Sequence, residues 1–222
     1  MALQIQTEVR KTRRVLLYGH AKSAKTTTAV RFPKPIVAQD SILQGASFAG
    51  APFVTIDSTA SLSKFVADVA QAPEFSSVVL DDFSNVIRRY CVAASAMEKD
   101  PRNGFRKVYA IVIPLLQQLL AMPKNLIITA HLSKEMELPA VGNERVLIHP
   151  LFPDSLETFL LGFVDCTAYC YCNGHFNALV AENADARRRI VAGCRAGLTF
   201  SAYAQRSNWI VPLDAFAEQV MK

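Results

Sequence analysis

The sequence predicts an α/β fold, a mostly parallel sheet with helices on both faces and added antiparallel strands near the C-terminus. Three observations carry that expectation. Short apolar runs alternate with helix-length segments through the first half of the chain, as parallel strands joined by helical crossovers do. A lysine-rich loop, Gly19-His20-Ala21-Lys22-Ser23-Ala24-Lys25-Thr26, lies between the first apolar run and the first helical segment. A later apolar run ends on the paired carboxylates Asp81 and Asp82.

The elements follow in order. Residues 15–18 read as a buried strand entering the loop at Gly19, and a helix is expected over 25–32, stopped by Pro33 and Pro35. Residues 36–38 and 53–56 give the next two strands. Ser58 or Thr59 is placed to cap a helix over 62–70. Residues 77–80 form the strand ahead of Asp81 and Asp82. Helices are expected over 83–97 and 105–121, with the charged stretch 98–102 as their link. Residues 126–129 make a core strand running into Ala130 and His131. Shorter alternating segments at 145–148, 165–171, 176–181 and 188–191 read as antiparallel strands on the edge of the core. A strand at 209–211 and a short helix from Pro212 close the chain. No repeat, low-complexity tract or long linker divides it, so one domain over 1–222 is expected.

Composition narrows the class. The 222 residues are 51% apolar and 19% charged, which suits a packed core rather than a disordered chain. No run of about 18 uncharged apolar residues is present, so no membrane partner is expected. The N-terminal segment lacks the apolar stretch of a secretory signal. With that, the five cysteines read as reduced thiols, and a cytoplasmic location is expected. The net charge of +5 permits a polyanionic partner without requiring one. Basic residues gather at Lys11, Arg13 and Arg14, at Arg102, Arg106 and Lys107, and at Arg187, Arg188 and Arg189. Each group reads equally as solvated surface charge or as phosphate contacts.

A strand, a loop of this composition and a helix is the context of a phosphate-binding loop, and it implies a nucleoside triphosphate, ATP for preference. Backbone N–H groups of residues 19–27, from Gly19 to Thr27 at the helix start, would face phosphate oxygens. Lys25 is placed to reach the β- and γ-phosphates, and the Thr26 hydroxyl to ligate Mg²⁺. Ala24 stands where a glycine is usual. If that position needs positive φ, alanine costs on the order of 1 kcal/mol. An ordinary strand-to-helix turn that carries Lys-Thr is the competing reading.

Asp81 fits the strand-end carboxylate that holds the Mg²⁺ shell, so Thr26 and Asp81 are the expected metal residues. Asp82 either assists it or caps the following helix, with the cap slightly favoured. A carboxylate must also activate water, and Asp82 and Asp40 are both candidates. His131, at the end of its strand, either senses the γ-phosphate or is a structural hydrogen-bonder. Cys166, Cys170 and Cys172 share parity near His175, but their spacing is not that of a zinc site. Small apolar side chains on a core-facing strand is the better reading.

On the segments YGHAKSAKTT, VVLDD and LIITAH, the later Pro-Leu-Phe-Pro, and Trp-Ile-Val-Pro near the C-terminus, the chain resembles a family of phage-borne, RecA-core-like P-loop ATPases. These AAA-domain nucleotide-binding proteins accompany single-strand annealing, and the resemblance spans roughly residues 13–212. It implies a RecA-like core, ATP and Mg²⁺ as ligands, and single-stranded DNA as a partner, with a single-strand-binding protein as a possible second. It also implies a homo-oligomeric ring or filament, in a phage-infected or prophage-carrying bacterial host. In RecA-like proteins a glutamate ends the second strand; Asp40 holds that position here. A basic residue acting across the subunit interface is matched by position to Arg195, in Gly193-Cys194-Arg195-Ala196-Gly197. Two rivals remain: a nucleotide-binding switch that no longer hydrolyses, and a small-molecule kinase on the same core, which would want an arginine-rich lid that the sequence lacks.

Overall fold

The computed structural model describes residues 12–41, 49–137, 145–180, 183–184, 188–194 and 210–221. Its centre is a twisted sheet whose main path runs β12-β8-β7-β1-β5-β4-β2-β3. The strands on that path are β1 (Arg14–Gly19), β2 (Pro35–Gln39), β3 (Phe53–Thr55), β4 (Ser77–Leu80), β5 (Asn125–Glu137), β7 (Cys166–Cys172), β8 (Phe176–Leu179) and β12 (Ile210–Pro212). From β7 to β3 every neighbouring pair is parallel. β8 and β12 add antiparallel strands at one edge. The class is the predicted one, an α/β fold with a mostly parallel sheet and antiparallel additions.

Alternation along the strands divides the core between the two faces. Leu16 and Tyr18 of β1 pack with Ile36, Val78, Leu80, Leu126 and Ile128 on one face. That face is covered by α2 (Thr59–Ala70), α3 (Phe83–Ser95), α4 (Pro101–Ala121) and α5 (Asp154–Phe163), through Phe65, Ile87, Leu116 and Leu160 among others. Val15 and Leu17 face the other way, against Phe32 after α1 (Lys25–Ala29) and against Phe216 and Val220 of α6 (Leu213–Met221). Strand β1 is therefore buried on both sides, which fixes where the loop after it emerges. No described helix is long and apolar enough to cross a membrane.

Several boundaries differ from expectation for local reasons. α1 stops at Ala29 because its bonds tighten to the three-residue type: Arg31 N–H donates to Thr28 O and Phe32 N–H to Ala29 O. α4 starts at Pro101, since Asp100 accepts from the Arg102 amide and Pro101 occupies the first turn, so the link falls at 96–100 instead of 98–102. Gly104 allows that turn to lie against α3, where a Cβ would come within 2.4 Å of the Ser95 nitrogen.

Three corrections concern topology. β5 does not end at His131: it continues to Glu137 and pairs antiparallel with β6 (Arg145–Pro150) from Leu132 onward. β7 is no antiparallel addition but a parallel neighbour of β1, because α5 carries the chain back across the sheet before it. β10 (Arg188–Ile190) pairs parallel with β6, and antiparallel with the two-residue β9 (Asn183–Ala184). The two-residue β11 (Gly193–Cys194) pairs antiparallel with the start of β7.

Candidate nucleotide site

The register of the parallel strands gathers the sequence-predicted residues at one edge. Gly19 lies level with His131 on one side and Cys170 on the other. Leu80 lies level with Ile128 and Ala38, so Asp81, Thr129 and the segment ending at Asp40 emerge together. This is the carboxyl edge of the strands, where open α/β sheets hold ligands.

The loop after β1 is shaped by backbone first. Gly19 is required by close approach, since a Cβ there would sit 2.1 Å from the Cys170 carbonyl oxygen. Lys22 and Ala24 both adopt left-handed backbone, with φ of 62 and 60°. The glycine-like position is therefore one of positive φ, and Ala24 occupies it. Reversals of this kind turn successive N–H groups toward the concave side of a loop. Ala24 is also the N-cap of α1, with no side-chain bond to the first-turn amides. His20, Ala21, Lys22 and Thr27 are exposed, and Ser23 is buried.

Lys25 is folded into the loop. Its Nζ donates to His20 O at 2.7 Å, Gly19 O at 3.1 Å and Ser23 Oγ at 3.4 Å. Burial lowers its pKa from the usual lysine value, opposed by Cys170, Asp82 and Asp81. The ammonium thus lies inside the concavity where phosphate oxygens would take over from the loop carbonyls.

Facing it is a hydroxyl–carboxylate chain. Thr26 Oγ1 donates to Asp81 at 2.8 Å, and Thr129 Oγ1 donates to the same carboxylate at 2.7 Å. Thr129 Oγ1 also accepts from the Asp82 amide at 2.7 Å. Asp81 is 2% exposed, and burial raises its pKa against the lowering influence of the two threonines. A buried carboxylate with only neutral donors in direct contact suits a hard divalent cation. Thr26 and Asp81 are the residues that would hold it, and Mg²⁺ would supply positive charge beside the β- and γ-phosphate oxygens.

Asp82 sits at the start of α3 but does not cap it: its φ is 48° and its side chain makes no cap bond. Asn85 Nδ2 donates to its Oδ2 at 2.8 Å. Its buried Oδ1 makes no directed hydrogen bond, although His131 Nε2 lies 3.1 Å away. His131 is anchored by its own amide, which donates to Ser84 Oγ at 3.0 Å. Asp40 is buried in an ion pair with Arg89 of α3 and accepts from Ser41 Oγ at 3.3 Å. Asp40, Asp82, Asn85, Arg88 and Arg89 line one cavity of about 520 Å³. Both candidate bases therefore reach the same space. Arg195 lies outside the described residues.

Beside the loop opens a larger cavity of about 1070 Å³, lined by Ala24, Thr27, Arg31, Tyr171, His175 and Phe176 among others. The turn between β7 and β8 forms its far wall, with Phe176 at 48% exposure. The residues missed in the sequence are Thr129, Arg89 and Ser84. Thr129 had a signal, as the one polar residue within an apolar strand; the two on α3 become visible only once that helix is oriented.

The profile of a family described as "AAA domain" matches residues 11–202, the loop, both carboxylates and His131 included. The chain belongs to the AAA domain family. By family it is accordingly a P-loop NTPase. Among solved structures it is similar to a KaiC-like protein of the hyperthermophilic archaeon Pyrococcus horikoshii, with 15% identity over 75% of this chain and 76% of that one and a TM-score of 0.42. No curated protein matches it. Of the basic groups in this AAA domain, Arg13 and Arg14 are committed to structure. Arg13 Nε donates to Val220 O at 2.9 Å, and an Arg14 guanidinium nitrogen to Leu120 O at 2.6 Å, both at helix C-terminal turns. Arg102 and Arg106 are exposed on α4, and Lys107 pairs with Glu98. Cys166 and Cys170 are buried as expected, whereas Cys172, with the same parity, lies past the core and is exposed. Among the described residues no cluster of histidine, cysteine and carboxylates is disposed to hold a metal.

Proposed function

We propose that the chain binds Mg·ATP and hydrolyses it, and acts as a homo-oligomeric ring or filament on single-stranded DNA in phage recombination or replication. The observation that carries the nucleotide reading is the chain Thr26–Asp81–Thr129 placed against a loop whose backbone reverses at Lys22 and Ala24. The triphosphate is assigned to the loop, with Lys25 drawn from its carbonyls to the phosphates. The nucleoside is assigned to the cavity between Thr27 and Phe176. Water activation falls to Asp40 or Asp82, which share one cavity. His131, 3.1 Å from Asp82, is placed to register a change there.

The DNA role is supported by the resemblance of the YGHAKSAKTT, VVLDD and LIITAH segments to phage ATPases of single-strand annealing. The exposed Arg88, Arg102 and Arg106 offer cations for a phosphate backbone. Arg195 is assigned the cross-subunit cation, a role that needs head-to-tail stacking. The deciding experiment is ATP turnover with and without single-stranded DNA, with Lys25→Ala as control. Turnover stimulated by DNA and lost in Lys25→Ala is expected, with DNA affinity falling steeply between about 50 and 200 mM salt. No DNA binding at low salt and a monomer under all nucleotide conditions would leave the DNA role without support. The Arg89–Asp40 ion pair favours one alternative, a nucleotide-binding switch whose carboxylate is held away from water. Nucleotide binding without turnover would identify it.

A further inference from the structure

β11 and β7 run antiparallel, and their register places Cys194 directly opposite Cys166. Residues so paired hold their Cα atoms about 4.5–5.5 Å apart, inside the range of about 4.4–6.8 Å that a disulfide spans. The two Sγ atoms are 2.8 Å apart. Cys170 is on the same strand but four residues along, roughly 13 Å away at the usual strand rise. Cys91 is buried in α3. The two thiols differ in access: Cys166 is fully buried, and Cys194 is partly exposed.

We propose that Cys166 and Cys194 are a modification site, a dithiol that closes to a cross-strand disulfide with a small-molecule disulfide of the glutathione class as oxidant. Cys194, as thiolate, attacks one sulfur of the reagent, breaks its S–S bond and expels one thiolate. Cys166 then loses its proton and attacks Cys194 Sγ, expelling the second thiolate. The protein gives up two electrons and two protons, and the reagent is reduced to two thiols. Burial holds the Cys166 thiol above the usual cysteine range, so it serves as the resolving group and not the first attacker. The bond closes the segment 166–194, which contains the β7–β8 turn lining the large cavity. It is a latch on that segment, and it is independent of the nucleotide reading.

The test uses the reduced full-length chain incubated with oxidised glutathione near pH 8, then alkylated and mapped without reduction. A 166–194 linkage in a monomer is expected, with two fewer titratable thiols and a Tm raised by roughly 5–10 °C. Cys194→Ser, at the partly exposed position, should abolish the linkage and the Tm rise together, and Cys170→Ser should leave both. A reaction that stops at glutathionylated Cys194, with Cys166 still alkylated on unfolding, overturns the proposal. So does a cross-linked species no more stable than the reduced one.

Discussion

Thr26 and Asp81, 55 residues apart in sequence, meet at 2.8 Å across the gap between the first-turn end of α1 and the end of β4. The contact exists because β5 is inserted between β1 and β4 and brings Thr129 to the other side of the same carboxylate. The result is a desolvated anion held by neutral donors, an arrangement that favours cation binding at the expense of the cation-free fold.

Asp81→Asn should therefore separate stability from ligand binding. The folded pKa of Asp81 lies above its unfolded value of 3.8. Its contribution is present below that value and is lost as pH rises through the folded pKa, so ionisation weakens the cation-free fold. The asparagine variant is expected to melt at or above the wild-type temperature without ligand and to lose most of the Tm increase given by Mg·ATP. Melting curves with and without Mg·ATP check this. A large loss of ligand-free stability would contradict it.

Ala24→Gly should stabilise the chain. A non-glycine residue in left-handed backbone costs about 1–2 kcal/mol, and glycine's extra unfolded-state entropy returns about 0.5–1 kcal/mol of that. The net of roughly 0.5–1 kcal/mol corresponds to a Tm rise of about 2 °C. Calorimetry of the two proteins gives the answer.

Asp40→Asn should lower turnover by about 10²-fold with little change in ATP affinity, as for loss of a general base. The Arg89 contact adds a second arm. Arg89→Ala releases Asp40 and should alter turnover in wild type but not in the Asp40→Asn background. If Asp82→Asn abolishes turnover while Asp40→Asn does not, the base is Asp82.

His149, 6% exposed, holds Glu157 at 2.8 Å through Nδ1, with Glu135 at 3.4 Å from Nε2. The Glu157 hydrogen bond raises its pKa against the opposing effect of burial. The stability it contributes is fully present below the unfolded value near 6.5 and is lost as pH rises through the folded pKa. Wild type should lose more Tm than Glu157→Gln between pH 6 and pH 8. Parallel Tm profiles for the two would sink the assignment.

The nucleotide loop and the acidic strand end were legible because their chemistry is written in consecutive residues, Gly19 to Thr26 and Val78 to Asp82. Strand direction was not: β7 has the same short, alternating pattern as β8, and only the helix α5 before it makes β7 parallel to β1. In the sequence Thr129 and His131 read as a strand end because their apolar run stops there. The strand goes on, since backbone pairing with β6 needs no apolar side chains. Arg89 was illegible for a different reason. Its role depends on the rotation of α3, which places one arginine of an adjacent pair on Asp40.

β5 has 13 residues, and His131 is near its midpoint. At the usual rise of about 3.3 Å per residue the strand is roughly 40 Å long. One half is clamped between β1 and β4, and the other extends as a ribbon with β6. His131 therefore sits at a fulcrum. A tilt of only about 5° there would swing the far end of the ribbon by roughly 2 Å, since the arm is about 20 Å long. Such a tilt would make the strand a lever, in which an angular change too small to break a hydrogen bond at the site becomes a displacement of atomic size at the tip.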